Sequence, residues 1–269
     1  MRKSRIREKL DRGEPALCTN LCLADPSVFE LVSTLGFDGI WLDLEHHAHS
    51  LETAAKLFRA ARVGDADIIA RPGKGEFVSI SRLLEAGAQA IMYPRCESPE
   101  EAREVVDAVK FAPLGKRGFD GSNADANYGA SPMGSYLPHA NRETVLIVQL
   151  ESPEAVSQAE AMASVPGVDA LMLGPADFSI LSGFPGDFAD PQLREALAAV
   201  ATGAKSAGKA WAQTMIDPGH IPEAIAMGAN IIFYGNDLGL IRQGMTKIFG
   251  MMQQHCNLAT QTTVEQVSS

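Results

Sequence analysis

Long apolar runs are missing from this 269-residue chain. No stretch reaches the roughly 18 apolar residues that a membrane-crossing helix needs, so no spanning segment and no membrane partner are expected. The opening residues, MRKSRIREKLDRGEP, carry charge with no apolar stretch behind them. A secretory leader needs such a stretch, and a cytoplasmic location is expected. Positive charge is in deficit: 23 Lys and Arg stand against 33 Asp and Glu, a formal net charge of −10. A general nucleic-acid binder needs a basic surface to neutralise phosphates, so that class is set aside. An anionic small substrate is not, because charge at a site is independent of the sum. Cysteine is sparse, with four residues at Cys18, Cys22, Cys96 and Cys256. Thr19–Leu21, between the first two, reads as strand, no second pair follows, and no His stands at zinc-finger spacing. Buried small hydrophobes fit better than a disulfide or a zinc site. Linkers and low-complexity tracts are absent as far as residue 256. From residue 257 the sequence NLATQTTVEQVSS reads as a frayed polar tail.

What remains is 46% hydrophobic and 21% charged, the composition of an ordinary globular protein. Short apolar runs alternate with longer segments of helical periodicity. The runs predict strands at Ala16–Cys22, Gly39–Asp43, Asp67–Arg71, Ala90–Tyr93, Thr144–Leu150, Ala170–Leu173, Ala210–Thr214 and Asn230–Tyr234. Helix starts are marked by Ser50 with Thr53 and, with Pro at the first helical position, by Asp25-Pro26, Ser98-Pro99, Ser152-Pro153, Asp190-Pro191 and Asp217-Pro218. Gly36, Gly87, Gly208 and Gly228 fall where helix C-caps belong. The phrases STLGFDGIWLD, LEAGAQAIMYP and IAMGANIIFYG repeat one pattern of helix, glycine and buried strand. Eight such units predict a single-domain (β/α)8 TIM barrel over residues 1–256. A doubly wound open sheet is the alternative, but the Gly-rich phosphate loop it normally carries after its first strand is absent. That strand is followed by Leu23-Ala24-Asp25-Pro26.

Barrel chemistry sits at the C-terminal ends of strands. The second strand runs into Asp43-Leu44-Glu45-His46-His47, the third ends in Arg71, the fifth in Gln149-Leu150-Glu151, and the sixth in Gly174-Pro175-Ala176-Asp177. Glu151 and Asp177 come from neighbouring strands about 4.8 Å apart. Two carboxylate ligands with room for water and substrate suit Mg²⁺ or Mn²⁺; the alternative is a pair of helix-capping carboxylates. His46 is the expected base, with Asp43 and Glu45 orienting it and His47 and His49 as solvated loop residues. Arg71 is suited to a substrate carboxylate or carbonyl oxygen. The amides of Ala176 and Asp177 could face an anion.

These residues resemble the metal-dependent, class II pyruvate aldolases of the hydroxyketoacid (hydroxy-oxo-heptanedioate) aldolase family, relatives of citrate lyase β subunits. The resemblance is carried by GFDGIWLDLEH (36–46), RPG (71–73), LLEAGAQAIMYP (83–94), APLGKRG (112–118), VQLES (148–152) and GVDALMLGPADFS (167–179). It implies a retro-aldol lyase that cleaves or forms a 4-hydroxy-2-oxo acid, to or from pyruvate and an aldehyde, through an enolate held by Mg, Mn or Co. In that reading Glu151 and Asp177 hold the metal, Arg71 meets the keto oxygen and His46 is the base. Gln149 contacts the pyruvate unit, and the amides of Ala176 and Asp177 receive its carboxylate. Glu85 falls where the resemblance expects an acidic partner for the catalytic His. A Schiff-base route is not expected, because no lysine ends a strand. The alternatives are an acyl-CoA lyase on the same barrel and an inactive barrel used as a binding module. The stretch Asp120–Tyr128 has acids and amides but no cation, which predicts a neutral aldehyde acceptor if it lines the mouth. The last helical segment, about Leu238 to Gln254, is apolar on more than one face. With the resemblance, it predicts a homo-oligomer, trimer or hexamer, that exchanges C-terminal helices.

Overall fold

A computed structural model of the chain describes residues 1–256; the polar tail expected from residue 257 lies outside the described residues. The chain runs α1 (Arg5–Asp11), β1 (Ala16–Leu21), α2 (Pro26–Thr34), β2 (Gly39–Asp43), α3 (Leu51–Ala61), β3 (Asp67–Arg71), α4 (Phe77–Ala86) and β4 (Ala90–Tyr93). It continues through α5 (Pro99–Val109), α6 (Met133–Glu143), β5 (Val145–Leu150), α7 (Pro153–Ser157), α8 (Ala159–Ala163), β6 (Ala170–Leu173) and α9 (Pro175–Leu181). The last elements are α10 (Pro191–Ser206), β7 (Ala210–Thr214), α11 (Ile221–Ala226), β8 (Ile231–Asn236) and α12 (Asp237–Cys256). The strands close in sequence order into a barrel, β8 pairing in parallel with β1. Closure rules out the open doubly wound sheet.

The helix starts follow their expected capping chemistry. Ser50, Ser98 and Ser152 accept from the amides of Thr53, Glu101 and Ala155, and Asp25 accepts from Ser27. Each cap satisfies an amide that the helix itself cannot. Gly36, Gly87, Gly208 and Gly228 all have positive φ, a conformation glycine adopts without a Cβ clash.

Two apolar layers result. Ile69, Met92, Ile147, Met172 and Phe233 fill the barrel interior, and Leu57, Leu83, Val106, Leu171 and Trp211 pack between strands and helices. The N-terminal end is closed by α1, an element with no counterpart among the predicted ones. Its Ile6 is buried in the barrel, while Ser4 Oγ and the Ile6 amide donate to Asp67 at the start of β3, at 2.6 and 2.9 Å. Cys18, Cys22 and Cys96 are free thiols; Cys18 and Cys96 are buried as expected, and Cys22 is half-buried.

Candidate active site

Strand direction puts one set of polar residues on the C-terminal rim. Asp43 ends β2 and Arg71 ends β3, and the two pair in register. Gln149 lies on β5, Glu151 follows it, and Asp177 sits in the first turn of α9 after β6. Arg71 is the hub. Its Nε and Nη2 donate to the two Asp43 carboxylate oxygens at 2.9 and 2.7 Å, and Nη1 reaches Gln149 Oε1 at 3.4 Å. Glu45 Oε2 lies 3.5 Å from Arg71 Nε, and the Trp41 ring lies 4.7 Å from the guanidinium carbon. Burial pushes the Asp43 carboxyl up, but Arg71, the Glu45 amide and His47 outweigh it and hold the group below its ordinary value.

Glu151 has the opposite surroundings. It is buried, and burial, followed by the charge of Asp177, pushes its pKa up to about 8. Gly174 makes its cradle: a Cβ there would stand 2.3 Å from Glu151 Oε1. A buried carboxyl beside a second carboxylate suits a divalent cation, whose charge offsets their repulsion. Among the described residues no group of three or more His, Cys, Asp or Glu gathers into a metal cage. A two-carboxylate site leaves coordination positions for substrate and water.

The histidines separate. His46 is exposed, its Nε2 3.6 Å from Glu45 Oε2. His47, expected to be a solvated loop residue, places Nδ1 3.2 Å from Asp43 Oδ2 and stacks on His49 at 5.7 Å between ring centres. The ring that Asp43 holds is therefore that of His47. Ala176 is exposed beside half-buried Asp177 in the first turn of α9, where helix amides have no intrahelical acceptor.

Glu85 is not brought to this rim. It lies near the C-terminal end of α4, which returns the chain to the N-terminal end of the barrel before β4. Its carbonyl accepts from the Asp125 amide, and its pKa is raised, first by burial. Within one chain it therefore does not pair with His46. The reason is the direction of a barrel helix, which runs opposite to its strands. The same geometry corrects the expectation for Asp120–Tyr128. That stretch sits below the barrel, where Asp125 accepts from Tyr136 Oη and the Met1 ammonium reaches the Asp125 carbonyl. It does not line the rim of its own chain, so within one chain its lack of a cation does not bear on the acceptor.

One rim residue escaped the sequence reading. Arg95, just beyond β4, donates from Nε to Glu45 Oε1 at 2.9 Å, with Nη2 2.7 Å from the same oxygen. The strand-end rule that singled out Arg71 applies to it equally.

The family model described as HpcH/HpaI aldolase/citrate lyase matches residues 20–244. The chain belongs to this family. A hydroxypyruvate/pyruvate aldolase of Sagittula stellata is 36% identical over 195 residues, 72% of this chain and 76% of that protein. A 2-keto-3-deoxy-L-rhamnonate aldolase of Salmonella typhimurium is 29% identical over 256 residues, 95% of each. The crystal structure of an HpcH/HpaI aldolase from Desulfitobacterium hafniense superposes with a TM-score of 0.87 at 26% identity, covering 92% of this chain and 96% of the other. The protein is thus an enzyme, a divalent-metal-dependent aldolase of the carbon–carbon lyase type. Among the described residues no helix is long and apolar enough to cross a membrane.

Proposed function

We propose that the HpcH/HpaI-family aldolase described here cleaves and forms 4-hydroxy-2-oxo acids, with pyruvate and an aldehyde as the other side of the reaction. The reading rests above all on the rim constellation of buried Glu151 with Asp177 near it, beside the Asp43-anchored Arg71. Mg²⁺, Mn²⁺ or Co²⁺ would be held by Glu151 and Asp177, and when bound would supply Lewis-acid stabilisation at the substrate's keto oxygen. Arg71 donates to that same oxygen, where negative charge develops as the C3–C4 bond breaks. Gln149 steadies Arg71 through Nη1 and contacts the pyruvate unit. The free amides of Ala176 and Asp177 receive the substrate carboxylate. His46, exposed at the mouth, takes the proton from the C4 hydroxyl on cleavage and returns it on synthesis.

An acyl-CoA substrate is less well supported. The citrate lyase β subunit structure from Mycobacterium tuberculosis is 17% identical with a TM-score of 0.55, a likeness of fold alone.

Assembly belongs to the same proposal. The apolar residues of α12 stand exposed, among them Leu240 at 67% and Phe249 at 61%, and a continuous apolar face of this kind marks an interaction surface. Leu17, Leu31 and Leu35 are exposed as well. We place the chain in a homo-oligomer, trimer or hexamer, that buries α12 against a second copy. The free thiols suit the cytoplasm.

The experiment is pyruvate release from a panel of 4-hydroxy-2-oxo acids, before and after chelation and on re-adding each metal. Light scattering gives the assembled mass. Metal-independent release, or none from any substrate, rejects the catalytic reading, and a monomer at micromolar concentration rejects the assembly.

A further inference from the structure

We propose that Arg95 is a specificity-determining residue that takes an anionic group, carboxylate or phosphate, at the far end of the acceptor aldehyde. The inference rests on the aldolase reading and extends it to the second substrate.

Barrel order places the β4 rim between β3, which carries Arg71, and β5, which leads into Glu151. Neighbouring strands are about 4.8 Å apart, so Arg95 stands on the rim beside the site. The pair it makes is lopsided: the Arg95 side chain is 46% exposed while that of Glu45 is 5% exposed. The anionic half is sealed beneath and the cationic half faces outward. Nε and Nη2 are engaged by Glu45, and among the described residues Nη1 has no hydrogen-bond partner. That leaves one edge of a planar fork suited to an anion.

The backbone is pinned to present it. Arg95 has φ +47°, a left-handed conformation that L residues with a Cβ avoid. It is held there by the Cys96 amide on Gln149 O at 2.9 Å and by Lys74 Nζ on the Arg95 carbonyl at 2.5 Å. The nearby acids have other partners. Glu101 accepts from Tyr93 Oη and lies 3.3 Å from Lys74, and Glu97 accepts from Ser152 Oγ.

The test uses matched aldehydes in synthesis with pyruvate: succinic semialdehyde against butyraldehyde, and glyceraldehyde 3-phosphate against glyceraldehyde. The readout is the ratio of kcat/KM, anionic over neutral, in the wild type, Arg95→Gln and Arg95→Lys. A charge-assisted hydrogen bond predicts a fall of about ten- to a hundredfold in Arg95→Gln for at least one pair, with partial recovery in Arg95→Lys. The pair that responds identifies carboxylate or phosphate. A fall of less than tenfold in both pairs overturns the assignment and leaves Arg95 as the counter-ion of Glu45, as does a wild type that uses neither anionic aldehyde. Deuterium exchange at C3 of pyruvate keeps the two readings apart. Exchange with an unmoved ratio sinks this inference alone, while neither exchange nor cleavage in the wild type sinks the aldolase reading.

Discussion

Asp43 closes on Arg71 as a two-pronged pair, Oδ1 on Nε at 2.9 Å and Oδ2 on Nη2 at 2.7 Å, both side chains nearly sealed from solvent. The fork fixes the guanidinium plane, rests it beside Trp41 and turns Nη1 toward Gln149. Lysine could carry the charge but not that orientation.

Arg71→Lys should therefore lower kcat/KM for retro-aldol cleavage by about 10²–10³-fold, the scale for losing a preorganised donor. Asp43→Ala should cost about 3 kcal/mol in urea unfolding, because it leaves a buried guanidinium without its main partner. Near-wild-type activity in Arg71→Lys would show that only the charge of this residue matters.

Gly174 tests the metal site without touching a ligand. An alanine Cβ would lie 2.3 Å from Glu151 Oε1 and 2.7 Å from Cδ, so the carboxylate must move. Gly174→Ala should weaken metal binding about 10–100-fold, the scale for disturbing a ligand's support. Its circular dichroism should match the wild type, and calorimetric titration with Mn²⁺ reads the affinity. Unchanged affinity would place the metal elsewhere.

The raised pKa of Glu151 has a definite sign in the metal-free protein. Its folded value of about 8 lies above the ordinary 4.5, so the folded state holds a proton that the unfolded state releases. The contribution of this group to stability is full below about pH 4.5 and is lost as pH rises through about 8. Metal-free Glu151→Gln should therefore gain thermal stability relative to the wild type as pH climbs from 4.5 to 9. A difference in Tm independent of pH would mean that Glu151 is not held protonated.

Adjacent histidines should fail differently. His46→Ala removes the proposed base for the hydroxyl proton and should slow cleavage by about 10²–10⁴-fold, while exchange of the pyruvate C3 protons falls less. His47→Ala acts through Asp43 and Arg71, so cleavage and exchange should fall together. The reverse pattern would make His47 the base.

The barrel could be read from the chain because its signals are local. A buried parallel strand is a short apolar run, a helix start is a serine or aspartate before proline, and a helix end is a glycine; each acts within a few residues. Arg71, Gln149, Glu151 and Asp177 were found by the rule that polar residues ending apolar strands need solvent or a partner. The same rule covers Arg95, which follows the apolar run of β4. The plug α1 was hidden because Ile6 is buried only by a barrel that closes far along the chain.

Sequence alone thus determined the alternation of strand and helix, the closed barrel and the placing of Glu151 and Asp177 on its C-terminal rim, all of which follow from hydrophobic period, capping and strand ends. Which polar groups meet was determined by closure. Arg71 reaches Gln149, and Arg95 covers Glu45. Glu85 and Asp120–Tyr128 fall at the opposite end of the barrel from the site they resembled parts of, because helices return antiparallel to their strands. Such contacts join residues up to 78 positions apart, as Arg71 and Gln149 show. No local pattern encodes them; they arise from the angle and register at which eight strands close.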